Sequence, residues 1–182
     1  MRLVILDRDG VINEDSDAYI KSPDEWVPIP GSLEAIARLN HAEYRVVVAT
    51  NQSGVARGLF TMDTLNRIHE KMHRALAELG GNVDAIFFCP HAPDDHCVCR
   101  KPKPGLFQEI EQRLGVSLGN VPAIGDSLRD LKAALAVGAQ PLLVLTGKGL
   151  ITQAKLVGDL DIPIFENLAA AVDALLEDDA AP

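Results

Sequence analysis

The chain lacks any apolar run long enough to span a bilayer, and no basic-then-apolar leader precedes its first strand-like segment. A cytoplasmic protein away from membranes is the expectation. It also lacks an excess of positive charge: 17 Lys and Arg face 26 Asp and Glu, leaving a net charge of −9. Such a surface repels the phosphate backbone of nucleic acid and anionic lipid, so neither is an expected partner. An anionic substrate would need cations focused locally. No internal repeat, low-complexity block or shift of composition marks a second domain. The 182 residues, 47% of them hydrophobic, suit one domain burying about 70% of its unfolded surface. The expected division is a single domain over 1–177 and a frayed acidic tail over 178–182.

Cysteine is scarce, and its three occurrences all fall in the run Cys-Pro-His-Ala-Pro-Asp-Asp-His-Cys-Val-Cys at 89–99. Without a secretory signal, clustered thiols favour thiolate and metal over disulfide. Cys89-x-His91 and Cys97-x-Cys99 supply two close ligand pairs joined by a short loop, which suits one tetrahedral zinc. His96 competes with His91 for the fourth place; the symmetric pairing with Cys89 favours His91. A reduced, metal-free loop is the bland alternative. Arg100 and Lys101 follow directly, so a metal clip would fix where two cations point.

Strand-like runs alternate with helical patterns, which predicts an α/β protein with an open, parallel, Rossmann-like sheet. Strands are expected at 2–6, 44–49, 85–89, 122–124 and 141–145. Ser32 is expected to cap a helix carrying Leu33, Ile36 and Leu39. Thr61 is expected to cap a longer one with Leu65, Ile68, Met72, Leu76 and Leu79 on one stripe, stopping at Gly80-Gly81. Further helices are expected at 105–114, 128–137 and 168–177.

Ligands of an open parallel sheet bind beyond the carboxyl ends of its strands. There the chain places Asp7-Arg8-Asp9-Gly10, Thr50-Asn51-Gln52-Ser53, the cysteine cluster with Lys101, and Gly125-Asp126 with Asp130. A lone Asp-x-Asp-Gly is most often a turn, but four polar clusters in order at four strand ends form a pattern. They suit phosphoryl transfer to a carboxylate. Asp7 would attack phosphorus and Asp9 would protonate the leaving oxygen, then accept a proton from water. Asp7, the Asp9 carbonyl and Asp126 would bind magnesium through hard oxygens. The Thr50 hydroxyl, the Asn51 N–H and the Lys101 ammonium would hold the equatorial oxygens.

With these residues the chain resembles the haloacid dehalogenase-like phosphatases, through Asp7-x-Asp9, Thr50, Lys101 and Gly-Asp126-x-x-x-Asp130. It resembles more narrowly the D-glycero-D-manno-heptose-1,7-bisphosphate 7-phosphatase family, through Asp-Arg-Asp-Gly, Thr-Asn-Gln-Ser-Gly-Val-Ala-Arg-Gly at 50–58, Cys-Pro-His at 89–91 and Cys-x-Cys-Arg-Lys-Pro at 97–102. The resemblance implies a cap-less monomer with helices on both sheet faces and a zinc-binding loop insertion. Short loops at 13–22, at 52–58 and around the zinc would select a phosphorylated sugar. By position it implies substrate contacts at Asp15, Ser16, Asp17, Ala18, Gln52, Ser53 and Arg100, the last reading a second anionic group. Histidinol-phosphate phosphatases share Asp-x-Asp, Thr-Asn-Gln and the zinc cluster with its short loop, and stand as the alternative substrate reading.

Other residues have bland readings beside functional ones. Asp130 is either a partner of the metal ligands or a solvated helix residue. Arg8 and Arg57 are read as surface arginines before phosphate contacts, and Lys103 as solvated. His69-Glu70-Lys71-Met72-His73 matches the His-Glu-x-x-His helix of zinc proteases, yet both histidines flank an apolar stripe and no third ligand is evident. A zinc-stabilised phosphate-binding module without turnover is the remaining alternative.

Overall fold

The computed structural model describes residues 2–156 and 161–180. In chain order the elements are β1 (Arg2–Leu6), α1 (Ser32–His41), β2 (Tyr44–Asn51), α2 (Met62–Glu78), β3 (Ala85–Cys89), α3 (Gly105–Leu114), β4 (Pro122–Gly125), α4 (Leu128–Leu135), β5 (Gln140–Val144), α5 (Gly149–Lys155), β6 (Ile164–Phe165) and α6 (Leu168–Ala180). The strands form one six-stranded sheet in the order β3-β2-β1-β4-β5-β6. Every pair is parallel.

Both faces of the sheet are covered, because alternate residues of each central strand point to opposite sides. Val4, Leu6, Val46 and Val48 pack with Ile36, Leu39, Ile68, Met72, Leu76 and Val172 from α1, α2 and α6. Leu3, Ile5, Val47 and Ala49 pack with Leu106, Phe107, Ile110, Ala133 and Ala134 from α3 and α4. The order of strands reverses between β1 and β4, and a crevice opens at such a switch point. Asp7 and Asp126 follow those two strands.

Among the described residues no cap domain stands over the crevice. The insertions after β1 and β3 are loops with short 3-10 turns at Pro23–Glu25 and Pro93–Asp95. Lys71 fastens the first of these from below, donating to the Pro23 carbonyl at 2.7 Å and the Trp26 carbonyl at 3.0 Å.

Thr61 caps α2 as expected, accepting from the Thr64 N–H at 3.1 Å. Ser32 does not cap α1. Gly31, in the left-handed region at φ 84°, takes that place, and the Ser32 hydroxyl donates instead to the Val11 carbonyl at 2.9 Å. α4 stops at Leu135, two residues short of expectation, and Gly138 turns the chain at φ 73°. α6 continues to Ala180, so residues 178–180, expected to fray, belong to a helix. Residues 181–182 of the expected tail lie outside the described residues. The sequence pattern missed α5 and the two-residue strand β6 altogether.

Candidate active site

The Asp7 N–H donates to the Ile124 carbonyl at 2.9 Å, so the nucleophile candidate is pinned against β4 as β1 ends. The chain then turns tightly: the N–H groups of Val11, Ile12 and Asn13 all point at the Arg8 carbonyl. Gly10 makes the turn at φ 84°, and a Cβ there would stand 2.1 Å from Asp126 Oδ2. Gly147 approaches the same oxygen from the far side, where a Cβ would stand 2.2 Å away. Only two bare backbones leave room for the Asp126 carboxylate between the loops after β1 and β5.

Lys101 is 2% exposed and reaches the floor of the crevice, where it uses all three of its donors. Its Nζ donates to the Ala49 carbonyl at 2.6 Å and pairs with Asp130 Oδ1 at 2.6 Å and Asp7 Oδ1 at 3.1 Å. Asp130 is therefore no solvated helix residue. Its other oxygen accepts from the Ser127 N–H at 3.0 Å and the Ser127 hydroxyl at 2.6 Å, closing the first turn of α4. With both oxygens engaged, Asp130 orients Lys101 and buttresses the loop that carries Asp126.

Asp7, Asp126 and Asp130 bring carboxylate oxygens within 4.8 Å of one another. Burial, then Asp130, pushes Asp7 up to about 7 against the opposing pull of Lys101. Burial, then Asp7 and Asp130, pushes Asp126 up to about 8. Burial also works to raise Asp130, but Lys101 and the Ser127 donors outweigh it and hold that carboxyl below its ordinary range. The cluster is short of positive charge beside hard oxygen ligands, so its donor set fits a divalent cation such as magnesium.

Asp9 stands apart from that cluster. Its Oδ1 accepts from Arg8 Nε at 3.0 Å, Arg8 Nη2 at 2.8 Å and Asn13 Nδ2 at 2.9 Å, and its Oδ2 from Gln52 Nε2 at 2.9 Å and Arg8 Nη2 at 3.0 Å. Burial acts to raise Asp9, yet Arg8, Asn13 and Gln52 outweigh it and hold the carboxyl below its ordinary range. The surface reading of Arg8 fails: the residue has no exposed area and faces Asp9, not an open phosphate site. Gln52 Nε2 also donates to Thr50 Oγ1 at 2.9 Å. Since the threonine oxygen accepts there, its own proton is free for a ligand in the crevice.

The crevice measures about 370 Å³. Its lining includes the expected Asp15, Ser16, Asp17, Gln52, Ser53 and Arg100. Ala18 lies outside that lining, and its N–H closes a local turn by donating to Ser16 Oγ at 3.1 Å. Asn51 lies in the lining, but its side chain bonds the Lys101 backbone. Arg57 and Arg129 also line the crevice beside Arg100. Burial lowers the Arg100 guanidinium from its ordinary value, with repulsion from Arg129 and Arg57 adding to it. Three arginines converging on one rim leave an unmet demand for an anion.

Lys148 escaped the sequence reading, although it follows β5 as Asp7 follows β1, and the same rule about strand ends would have found it. Its N–H donates to Asp126 Oδ2 at 2.7 Å, and its Nζ pairs with Asp15 at 3.1 Å and Asp17 at 3.3 Å. One residue thus ties the loop at 13–22 to the Asp126 carboxylate.

Beside the crevice, Cys89, His91, Cys97 and Cys99 converge. Cys89 Sγ lies 3.5 Å from His91 Nδ1, 3.6 Å from Cys97 Sγ and 3.1 Å from Cys99 Sγ, and His91 Nδ1 lies 3.3 Å from Cys99 Sγ. Ligands about 2.0–2.3 Å from a tetrahedral zinc stand about 3.5 Å apart, close to these separations. His96 is not in the cluster. Burial pushes the Cys89 thiol up, while the Arg100 N–H and neighbouring thiols overcome the burial of Cys97 and hold it down at about 7. His69 and His73 make no metal cluster among the described residues. His69 is buried against Arg8 instead.

A HAD-hydrolase-like family model matches residues 98–171, and one for polynucleotide kinase 3 phosphatase matches residues 3–124. A D-glycero-beta-D-manno-heptose-1,7-bisphosphate 7-phosphatase of Bordetella bronchiseptica is 60% identical over 98% of this chain and 99% of its own. One from Pseudomonas aeruginosa is 54% identical over 96% and 98%. The crystal structure of D,D-heptose 1,7-bisphosphate phosphatase from B. bronchiseptica, complexed with magnesium and phosphate, superposes with a TM-score of 0.96 over the same 98% and 99% at 60% identity. That from Burkholderia thailandensis superposes at 0.77, with 49% identity over 97% and 99%.

Proposed function

The chain belongs to the D-glycero-D-manno-heptose-1,7-bisphosphate 7-phosphatase family of HAD-like hydrolases, and on that premise we propose that it removes the C7 phosphate of the β-anomer of that bisphosphate. The product is heptose 1-phosphate. The observation that carries this reading is the convergence, at the switch point of the sheet, of Asp7, Lys101 and Asp126 with a rim of three arginines. A monophosphate would leave that rim without a partner. The polynucleotide kinase 3 phosphatase match covers the first three strand ends, but a net charge of −9 opposes a nucleic-acid substrate.

Asp7 attacks phosphorus; the bond to the C7 oxygen breaks, and that oxygen takes a proton from Asp9. Water then attacks the phospho-Asp7, giving its proton to Asp9, and phosphate departs. Thr50 donates its free proton to an equatorial oxygen, and the Lys101 ammonium exchanges part of its contact with Asp7 for another. Asp7, Asp126 and the Asp9 carbonyl would hold magnesium, which when bound offsets the charge accumulated where a carboxylate meets a phosphate dianion. Arg100, flanked by Arg57 and Arg129, pairs with the C1 phosphate as a fork. Cys89, His91, Cys97 and Cys99 would hold zinc, which fixes the start of the Arg100-Lys101 segment. Among the described residues no helix is long and apolar enough to cross a membrane, and we read the protein as a cytoplasmic, single-domain monomer.

The test is a phosphate-release assay on both heptose bisphosphate anomers and histidinol phosphate. Release from C7 of the β-anomer in preference to the others is expected, with Asp7→Asn inactive. Preference for histidinol phosphate would overturn the substrate, and activity in Asp7→Asn would overturn the covalent route.

A further inference from the structure

Arg8 and His69 have no part in the chemistry above, yet both are buried, and they meet across 61 positions of sequence. Arg8 Nη1 stands 3.1 Å from His69 Nε2. A guanidinium has donors only and does not lose its proton, so the contact needs a lone pair on Nε2. His69 is therefore neutral, with its proton on Nδ1. Burial, reinforced by Arg8, pushes it down to about 3, in keeping with that state. The histidine is a fixed acceptor on α2, between Leu65, Ile68 and Met72, all without exposed area. The orientation of the guanidinium is thereby referred to the hydrophobic core.

The rest of that guanidinium points at Asp9, with Nε and Nη2 taking both carboxylate oxygens and Nη2 also 3.4 Å from Gln52 Oε1. A planar fork fixes a carboxylate in its own plane, as a point charge does not. Proton transfer in both steps depends on the direction from which the Asp9 oxygen reaches the C7 oxygen and then the water. A displacement of about 1 Å can cost a hundredfold. We infer that Arg8 and His69 are positioning residues, a buried dock that holds the Asp9 carboxylate in the orientation from which it gives and takes its proton. The inference rests on the phosphatase reading above. It also accounts for the His-Glu-x-x-His pattern on α2, whose first histidine faces an arginine and not a metal.

The test compares leaving groups. The heptose C7 oxygen leaves as an alkoxide and needs the Asp9 proton, whereas 2,4-dinitrophenolate leaves without one. His69→Leu removes the acceptor; His69→Gln returns an oxygen near the position of Nε2. The expected result for His69→Leu is a loss of about tenfold or more in kcat/KM for the bisphosphate, with that for 2,4-dinitrophenyl phosphate kept within about twofold. His69→Gln should recover most of the loss. Equal losses on both substrates, no loss on either, or failure of glutamine to rescue would overturn the dock. If His69→Leu does not fold, Arg8→Lys, which keeps the charge but not the fork, supplies the same two ratios. Wild-type turnover of the bisphosphate tests the function separately; should it fail, any alkyl phosphate that the wild type cleaves serves for the comparison.

Discussion

Asn51 and Lys101 are joined twice: the asparagine amide donates to the Lys101 carbonyl and its oxygen accepts from the Lys101 N–H, each at 3.0 Å. The end of β2 therefore grips the backbone of the very residue whose ammonium reaches Asp7. Losing the pair forfeits two hydrogen bonds worth about 1 kcal/mol each, and leaves a backbone donor and acceptor to find water. Asn51→Ala should lower kcat/KM about ten- to a hundredfold on p-nitrophenyl phosphate and on the bisphosphate alike, since it disturbs the phosphoryl site and not the sugar site. A loss confined to the bisphosphate would show that Asn51 acts on the sugar.

The raised carboxyls give the metal-free protein a particular pH dependence. The unfolded chain releases the Asp7 and Asp126 protons near the ordinary 3.8, whereas the folded protein keeps them to about 7 and about 8. The folded state binds more protons in that window, so stability falls as pH rises from about 4 to about 8. Melting in a chelator should show this decline, and the gain in Tm on adding magnesium should be larger at pH 8 than at pH 5. Asp7→Asn, which removes one of the repelling charges, should raise the metal-free Tm at pH 8 while abolishing turnover.

Elemental analysis should find about one zinc per chain, retained under mild chelation that strips magnesium. Cys97→Ser should lose that zinc and lower Tm. Activity should fall through the loosened Arg100-Lys101 segment, and part of it should return on cooling.

Arg100→Ala separates the two phosphates. A charge-assisted contact is worth about 1.5–3 kcal/mol, so kcat/KM for the bisphosphate should drop about ten- to a hundredfold. Turnover of p-nitrophenyl phosphate should hardly change. Arg129→Ala should act in the same direction, because both guanidinium groups border one rim. Equal damage to the two substrates would move Arg100 to the transferring phosphate.

What was legible beforehand depended on how local its cause is. β1, β3 and α3 have the predicted bounds, because a bounded apolar run or a helix closed by Gly115 at φ 64° carries its own signal. The strand-end rule singled out Asp7, Asp9, Thr50, Lys101 and Asp126, and the structure brings all five to one crevice. α5 was missed because Leu150 and Ile151 are both exposed, so its residues show no buried stripe. β6 has only two residues, too few for a period. Ser32 suited a cap, but Gly31 reached the left-handed geometry first and freed the hydroxyl for Val11. Arg8 was misread as a surface residue because its partner on α2 is far away in the chain. No window of sequence contains both.

Gly10 and Gly147 meet backbone to backbone, a Cβ on Gly147 falling 2.6 Å from the Gly10 Cα. Most tight contacts in a protein can be relieved from either side: a larger residue here is excused by a smaller one there. Neither partner of this contact has anything left to shorten, and Asp126, pressed between them, is needed as it is. A lesion at Gly147 therefore has no suppressor in its neighbours. Selection for restored activity after Gly147→Ala should return the original glycine and no second-site change at position 10.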